Sequence, residues 1–345
     1  MRAAVMRPDG FAVESRPDPT PASGEVVVRV KACGICGSDL HYFHHAPDII
    51  EMVGRLGSPT EEMQRALEAG PILGHEFVCE VVDFGPDTAR TLNIGDRVTS
   101  VPFVLRNGAP VLIGSSPEVT GAYAEYMTLT EALLLRVSDE TPTEAAALTE
   151  PVGIAVHAIN KAKLTGEEVA IVVGCGPIGL AVIAVLHARG MKHIIASDLS
   201  PKRRELAGIM GATVVVDPMA VSVMGLAAET APGKQAVIFE NTGAPGMLNR
   251  LILEAPQSAK IVVTGIAPGE ENLIPMMAIT KEIAMQFVIY YTPEEFAEAL
   301  NLIEAGKINW QPLITGTVGL ADVTQAFKDL ADPERHAKIL IDPSQ

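Results

Sequence analysis

Residues 169–186 read VAIVVGCGPIGLAVIAVL, a run of 18 residues without one charge. That length just reaches what a membrane-spanning helix requires. Its interior argues otherwise, because Gly174, Gly176, Pro177 and Gly179 interrupt the middle and the β-branched run VAIVV precedes them. A buried strand, a tight turn and a helix account for this order better than one helix. The turn carries the spacing Gly174-x-Gly176-x-x-Gly179, directly after the strand and opening the helix. The first glycine permits the tight turn, the second lets a pyrophosphate approach the backbone, and the third packs helix against strand. Pro177 and Ile178 start the helix, whose N-terminus faces the negative charge. Asp198 ends the next strand, about 20 residues on, where a carboxylate binds the adenosine ribose 2′-hydroxyl and repels the phosphate of NADP. NAD is therefore the expected cofactor, and Arg203 in SPKRREL is a candidate brace for its adenosine end. The plain alternatives are an ordinary turn, a solvated acid and a solvated helix charge.

Outward from this motif, strands are expected at 193–198, 213–217, 236–241 and 260–265, alternating with helix-like stretches. Such alternation implies α/β architecture with a doubly wound parallel sheet over 151–290. Residues 1–150 read differently, as short strands with turn punctuation: GEVVVRVKAC (24–33), FVCEVVDFG (77–85), GDRVTSVPFV (95–104) and AEYMTL (124–129). This is a β-rich domain. Within it, 49–70 reads as an inserted helix, with Ser58 as N-cap, Pro59 at the first helical position and Gly70 as the stop. Residues 291–345 form a further helix and strand set, which we assign to the β-rich domain.

The chain has 345 residues, 48% hydrophobic and 20% charged, as expected of a globular protein of two domains. A net charge of −16 without a long Lys/Arg run excludes nucleic acid as a partner. Four cysteines are too sparse for a disulfide framework and favour a reducing cytoplasm. The N-terminal stretch MRAAVMRPDGFAVESRPD has no continuous apolar core, so no secretion signal is expected, and no membrane partner.

ACGICGSDLH (32–41) concentrates two thiols, a hydroxyl, a carboxylate and an imidazole. Cys33 and Cys36 have the spacing of a redox pair or half of a zinc knuckle, and Cys36 alone suits a catalytic metal. No second cysteine pair exists to complete a knuckle. A catalytic zinc needs three protein ligands and an open position, and the candidates are Cys36, His75 in GHEF, and Glu76 or Glu150 in LTEPVG. Taken singly, each also reads as a packing cysteine, a loop histidine or a helix-terminal acid.

The order GICGSDLH, GHEFVCEVVDFG, GDRV, EP and GCGPIGL resembles the zinc-dependent medium-chain dehydrogenase/reductase superfamily of alcohol and polyol dehydrogenases, and PEEFAEALNLIEAGKI and AKILI continue the likeness to the C-terminus. The resemblance implies a GroES-like catalytic domain, a Rossmann domain, and an active site in the cleft between them. It implies that Cys36, His75 and either Glu76 or Glu150 bind one zinc. It also implies that Asp39 supports the zinc histidine, that Ser38 takes the alcohol proton, and that His41 passes it towards solvent. Zinc then lowers the pKa of the hydroxyl, and a hydride passes to the nicotinamide.

Many relatives hold a second, structural zinc with four cysteines after GDRV; here that stretch contains none, so a single catalytic zinc is expected. The interval from Cys36 to His75 is lengthened by the 49–70 insertion. The leading reading is an NAD- and zinc-dependent dehydrogenase of a secondary alcohol or polyol, or of the matching ketone, assembled as a homodimer or homotetramer. The alternatives are a zinc-free carbonyl or enone reductase on the same fold and a catalytically silent nucleotide-binding protein. Phe43, Phe103 and Tyr123 are candidates for the substrate pocket or the core.

Overall fold

In the computed structural model, which describes residues 1–57, 60–114, 119–267 and 269–345, the run that opened the reading divides where its glycines fall. Val169–Val173 is a buried strand, Gly174 takes φ +86°, and Pro177–Ala188 is a helix with Pro177 at its first turn. A side chain on Gly179 would collide with the Gly174 carbonyl, so helix and turn can meet only with glycine there. Among the described residues no helix is long and apolar enough to cross a membrane.

The chain divides into two compact units. One comprises Pro151–Leu313 and Pro333–Ala337. Its sheet has six parallel strands in the order Val214–Val216, Ile194–Ser197, Val169–Val173, Ala236–Glu240, Lys260–Val263 and Ala284–Phe287. Numbered along the chain that order is 3-2-1-4-5-6, the doubly wound dinucleotide-binding topology. Five of the strands stand where the sequence pattern puts them. The sixth, Ala284–Phe287, lies at the sheet edge with Phe287 59% exposed, so it lacks the buried apolar run that announces its neighbours.

The other unit comprises Met1–Glu150, Ile314–Asp332 and Lys338–Gln345. Its main sheet runs Ile314–Val318, Lys338–Ile341, Glu25–Gly34, Glu76–Phe84, Arg97–Ser100 and Leu134–Arg136, with Tyr126–Thr130 also pairing with Glu25–Gly34. Glu76 lies opposite Gly34, and Gly34 lies opposite Leu340, so three strands meet at Gly34.

Two expectations change. Residues 291–313 belong with the parallel sheet, not with the β-rich unit. Helix Pro293–Glu304 buries Phe296, Ala299 and Leu300, Glu295 binds His157 Nδ1 at 2.7 Å and Asn160 at 2.9 Å, and Tyr291 stacks on Phe296. The insertion is two helices, Gly37–Arg55 and Glu61–Ala69, and the first begins well before residue 49. It kinks at His45, just ahead of Pro47, because proline has no N–H for the helix ladder and crowds the turn before it. Ser58 and Pro59, expected as the cap and first helical position of the single inserted helix, lie outside the described residues, whereas Gly70 does end the helix Glu61–Ala69.

Candidate active site

Cys36 is the N-cap of helix Gly37–Arg55, so Ser38, Asp39 and His41 occupy its first turns. Asp39 reaches back to accept the Cys36 N–H at 3.0 Å, half of the capping-box pattern. Its side chain is 4% exposed, and the same Oδ2 accepts the Tyr123 hydroxyl at 2.8 Å. The other oxygen stands 3.3 Å from His75 Nδ1. In the neutral imidazole, a proton on Nδ1 facing that carboxylate leaves the lone pair on Nε2. Ser38 Oγ lies 3.3 Å from this Nε2. Burial alone would lower the His75 pKa, but the charges of Asp39 and Cys36 outweigh it and hold the value well above 6.5. Burial likewise opposes ionisation of Asp39, and His75 outweighs it, so the carboxyl sits below its ordinary range.

Glu76 is fully buried at the start of its strand, and both its oxygens lie 2.7 Å from Lys338 Nζ, which also donates to the Ile35 carbonyl at 3.0 Å. Burial would lower the lysine pKa; Glu76, then Cys36, and more weakly Glu150, raise it. Glu76 thus binds the ammonium directly, while Cys36 and the buried Glu150 favour its charge through space. Lys338 is the member that sequence reasoning missed. The available signal was a lysine heading the wholly apolar ILI of the last strand, where a buried charge demands a partner.

The donors suit zinc in kind: a thiol, an imidazole oriented by a carboxylate, and nearby glutamates. Among the described residues no three His, Cys, Asp or Glu side chains are gathered closely enough to hold a metal ion, so the third ligand is the part not drawn in. Cys33 is buried, its thiol turned to the Gly34 carbonyl and its pKa pushed well up by burial, which removes the redox-pair reading. Tyr123 and Phe43 both pack against the core of the β-rich unit. Tyr123 is fully buried, and Phe43 stacks on Phe11 and meets Phe327 edge-on. His41 is half-buried one turn beyond Ser38, with no hydrogen bond between the two.

In the other unit, a cavity of about 500 Å³ opens at the C-terminal ends of the parallel strands, lined by Gly174, Asp198, Arg203, Thr242, Arg250 and Glu334 among others. Asp198 Oδ2 accepts the Cys175 N–H at 2.7 Å and Oδ1 the Ser200 N–H at 2.8 Å, tying the glycine turn to the next loop. Arg203 Nε is buried without a hydrogen-bond partner among the described residues. Gly176, Pro177 and Ile178 sit at the partly exposed helix start, and they and Gly179 are not among the residues lining the cavity.

A family model described as an alcohol dehydrogenase GroES-like domain matches residues 22–139, and one described as a zinc-binding dehydrogenase matches 177–305. The (R,R)-butanediol dehydrogenase of Bacillus subtilis is 32% identical over 344 residues, 96% of each chain. The chain belongs to the zinc-dependent medium-chain dehydrogenase/reductase superfamily. A probable D-xylulose reductase A of Aspergillus terreus is 30% identical, covering 88% of this chain and 87% of that one. A crystal structure of 2R,3R-butanediol dehydrogenase from Bacillus subtilis superposes with a TM-score of 0.83 at 31% identity over 99% of both chains. This member of the superfamily therefore combines a GroES-like domain with a Rossmann domain and is an oxidoreductase of the alcohol and polyol dehydrogenase type.

Replacing Lys338 by Met strands the Glu76 charge in the interior. Urea unfolding of K338M should show a loss of about 3–5 kcal/mol, and adding Glu76→Gln should recover more than half of it. An unchanged midpoint in K338M would refute the pairing.

Proposed function

We propose that this dehydrogenase oxidises a secondary alcohol or polyol, or reduces the matching ketone, with NAD and one zinc ion per chain. The observation that carries the reading is the Asp39 oxygen 3.3 Å from His75 Nδ1, which turns Nε2 to the side where Cys36 and Ser38 stand. Cys36, His75 and Glu150 are the proposed ligands; Glu76 is set aside because Lys338 takes both its oxygens. Zinc bound there supplies a Lewis acid that lowers the pKa of an alcohol hydroxyl. Ser38 Oγ, beside the donor nitrogen, accepts the hydroxyl proton and passes it to His41, one helical turn on. NAD supplies the hydride acceptor. Asp198, on the cavity wall, takes the ribose hydroxyls with its remaining lone pairs, and the unpartnered Arg203 Nε faces the adenosine. Gly176, Pro177, Ile178 and Gly179 present the helix N-terminus to the pyrophosphate. The relatives named for butanediol and D-xylulose support a vicinal diol or polyol as substrate. Four free cysteines, three of them buried, accord with a cytoplasmic setting.

Metal analysis of protein expressed with ample zinc should find one zinc per chain, and NADH absorbance should rise with 2,3-butanediol or xylitol. Cys36→Ser should lose the metal and at least about 100-fold in kcat/KM. Zinc-free wild type, with full activity in C36S, would end the metal reading, and a marked preference for NADP would end that of Asp198.

His41 must be neutral to take a proton. Burial, then the neighbouring His45 and His44, lowers its pKa, so the acid limb of kcat/KM for alcohol oxidation should inflect below 6.5. H44A/H45A should move the limb upward. A limb unmoved by that pair and by His41→Ala would exclude this route.

A homodimer or homotetramer is the proposed assembly, through the open edge of Ala284–Phe287. That edge continues the sheet, and Phe287, Ile289, Met276 and Ile279 around it are 59–74% exposed, an unusual apolar surface beside free backbone groups. Light scattering should give a multiple of the chain mass, reduced by F287D/I289D. A monomeric wild type would contradict it.

A further inference from the structure

We propose that the Tyr123 hydroxyl is a positioning group for the metal-binding imidazole of His75, acting through Asp39. The inference rests on the zinc reading above and deepens it.

A carboxylate on a short side chain is oriented only by its partners. Asp39 has three: the Cys36 N–H and the Tyr123 hydroxyl on Oδ2, and His75 Nδ1 facing Oδ1. The N–H belongs to the same helix turn as Asp39 and moves with it. Tyr123 comes from a different part of the chain, so its bond is the one that fixes the carboxylate relative to the strand lead-in carrying His75. If Tyr123 let go, Oδ2 would lose the only side-chain donor it has among the described residues, in a place too buried for water to replace it.

The rest of the neighbourhood holds that hydroxyl still. The Ala122 N–H donates to the Gly74 carbonyl and the Tyr123 N–H to the Leu73 carbonyl, each at 2.9 Å, so the segment bearing the phenol is laced to the residues immediately before His75. Gly74 has φ +101°, and a side chain there would run into the Tyr123 ring and the Cys33 sulfur. The ring packs edge-on against the paired rings of Phe11, at 6.1 Å, and Phe327, at 6.2 Å, which lie 4.6 Å from each other. Packing alone would be served by phenylalanine, without the cost of burying an oxygen; the oxygen is compensated by a charged acceptor that already serves the site. Burial, then the Asp39 charge, raises the phenol pKa well above 10, so it keeps its proton and remains a donor.

The test is Tyr123→Phe in the full chain, read by zinc affinity in competition with a chromophoric chelator at fixed pH. Groups that orient a metal ligand from behind are worth about 10–100-fold in affinity, and the expected loss is about 10-fold, with a shifted visible spectrum in the cobalt-loaded protein. Metal-free Y123F should unfold within about 5 °C of wild type. In an Asp39→Asn background the same change should cost less than about twofold, because the route through the carboxylate is already cut. Wild-type zinc affinity in Y123F overturns the inference, as does an equal loss in the Asp39→Asn background or a metal-free variant that does not fold. A wild-type chain without zinc affinity overturns the zinc reading itself, and this inference with it.

Discussion

One buried carboxylate organises the catalytic unit. Asp39 is 4% exposed, and an ion so placed persists only where its partners replace water. Those partners are the helix start at Cys36, the strand lead-in at His75 and the segment ending at Tyr123, so the need to satisfy one charge draws three remote stretches to a point. The reactive groups inherit their positions from it. Cys36 is a cap because the helix begins there, and His75 presents Nε2 because Asp39 occupies the other face.

The same economy recurs with Glu76 and Lys338, and again with Asp198 in the parallel sheet. Lys338 neutralises a glutamate that would otherwise be untenable at full burial, and in doing so withdraws it from competition for a metal. Asp198 receives one N–H from the glycine turn and one from the following loop, so one carboxylate braces both.

Much of this is legible in the sequence. The glycine spacing after a β-branched run implied a strand, turn and helix because a side chain on Gly179 cannot clear the Gly174 carbonyl. Five of six parallel strands announced themselves as buried apolar runs. Ala284–Phe287 did not, because an edge strand is covered on fewer sides and its exposed Phe287 breaks the pattern. Helix Pro293–Glu304 is amphipathic whichever unit it joins. The hydrogen bonds of Glu295 to His157 and Asn160, and of Arg189 to Glu298, reveal its company.

The sequence by itself determined the local chemistry: which residues are thiols, imidazoles and carboxylates, where turns must fall, and which runs bury themselves. Spacing along the chain carries that information because turns, capping and side-chain periodicity are short-range. Tertiary structure alone decided the pairings: Tyr123 on Asp39, and Lys338 on Glu76 rather than in solvent. Each joins residues far apart in the chain, and the physical reason they meet is that a buried charge accepts whatever donor the fold delivers.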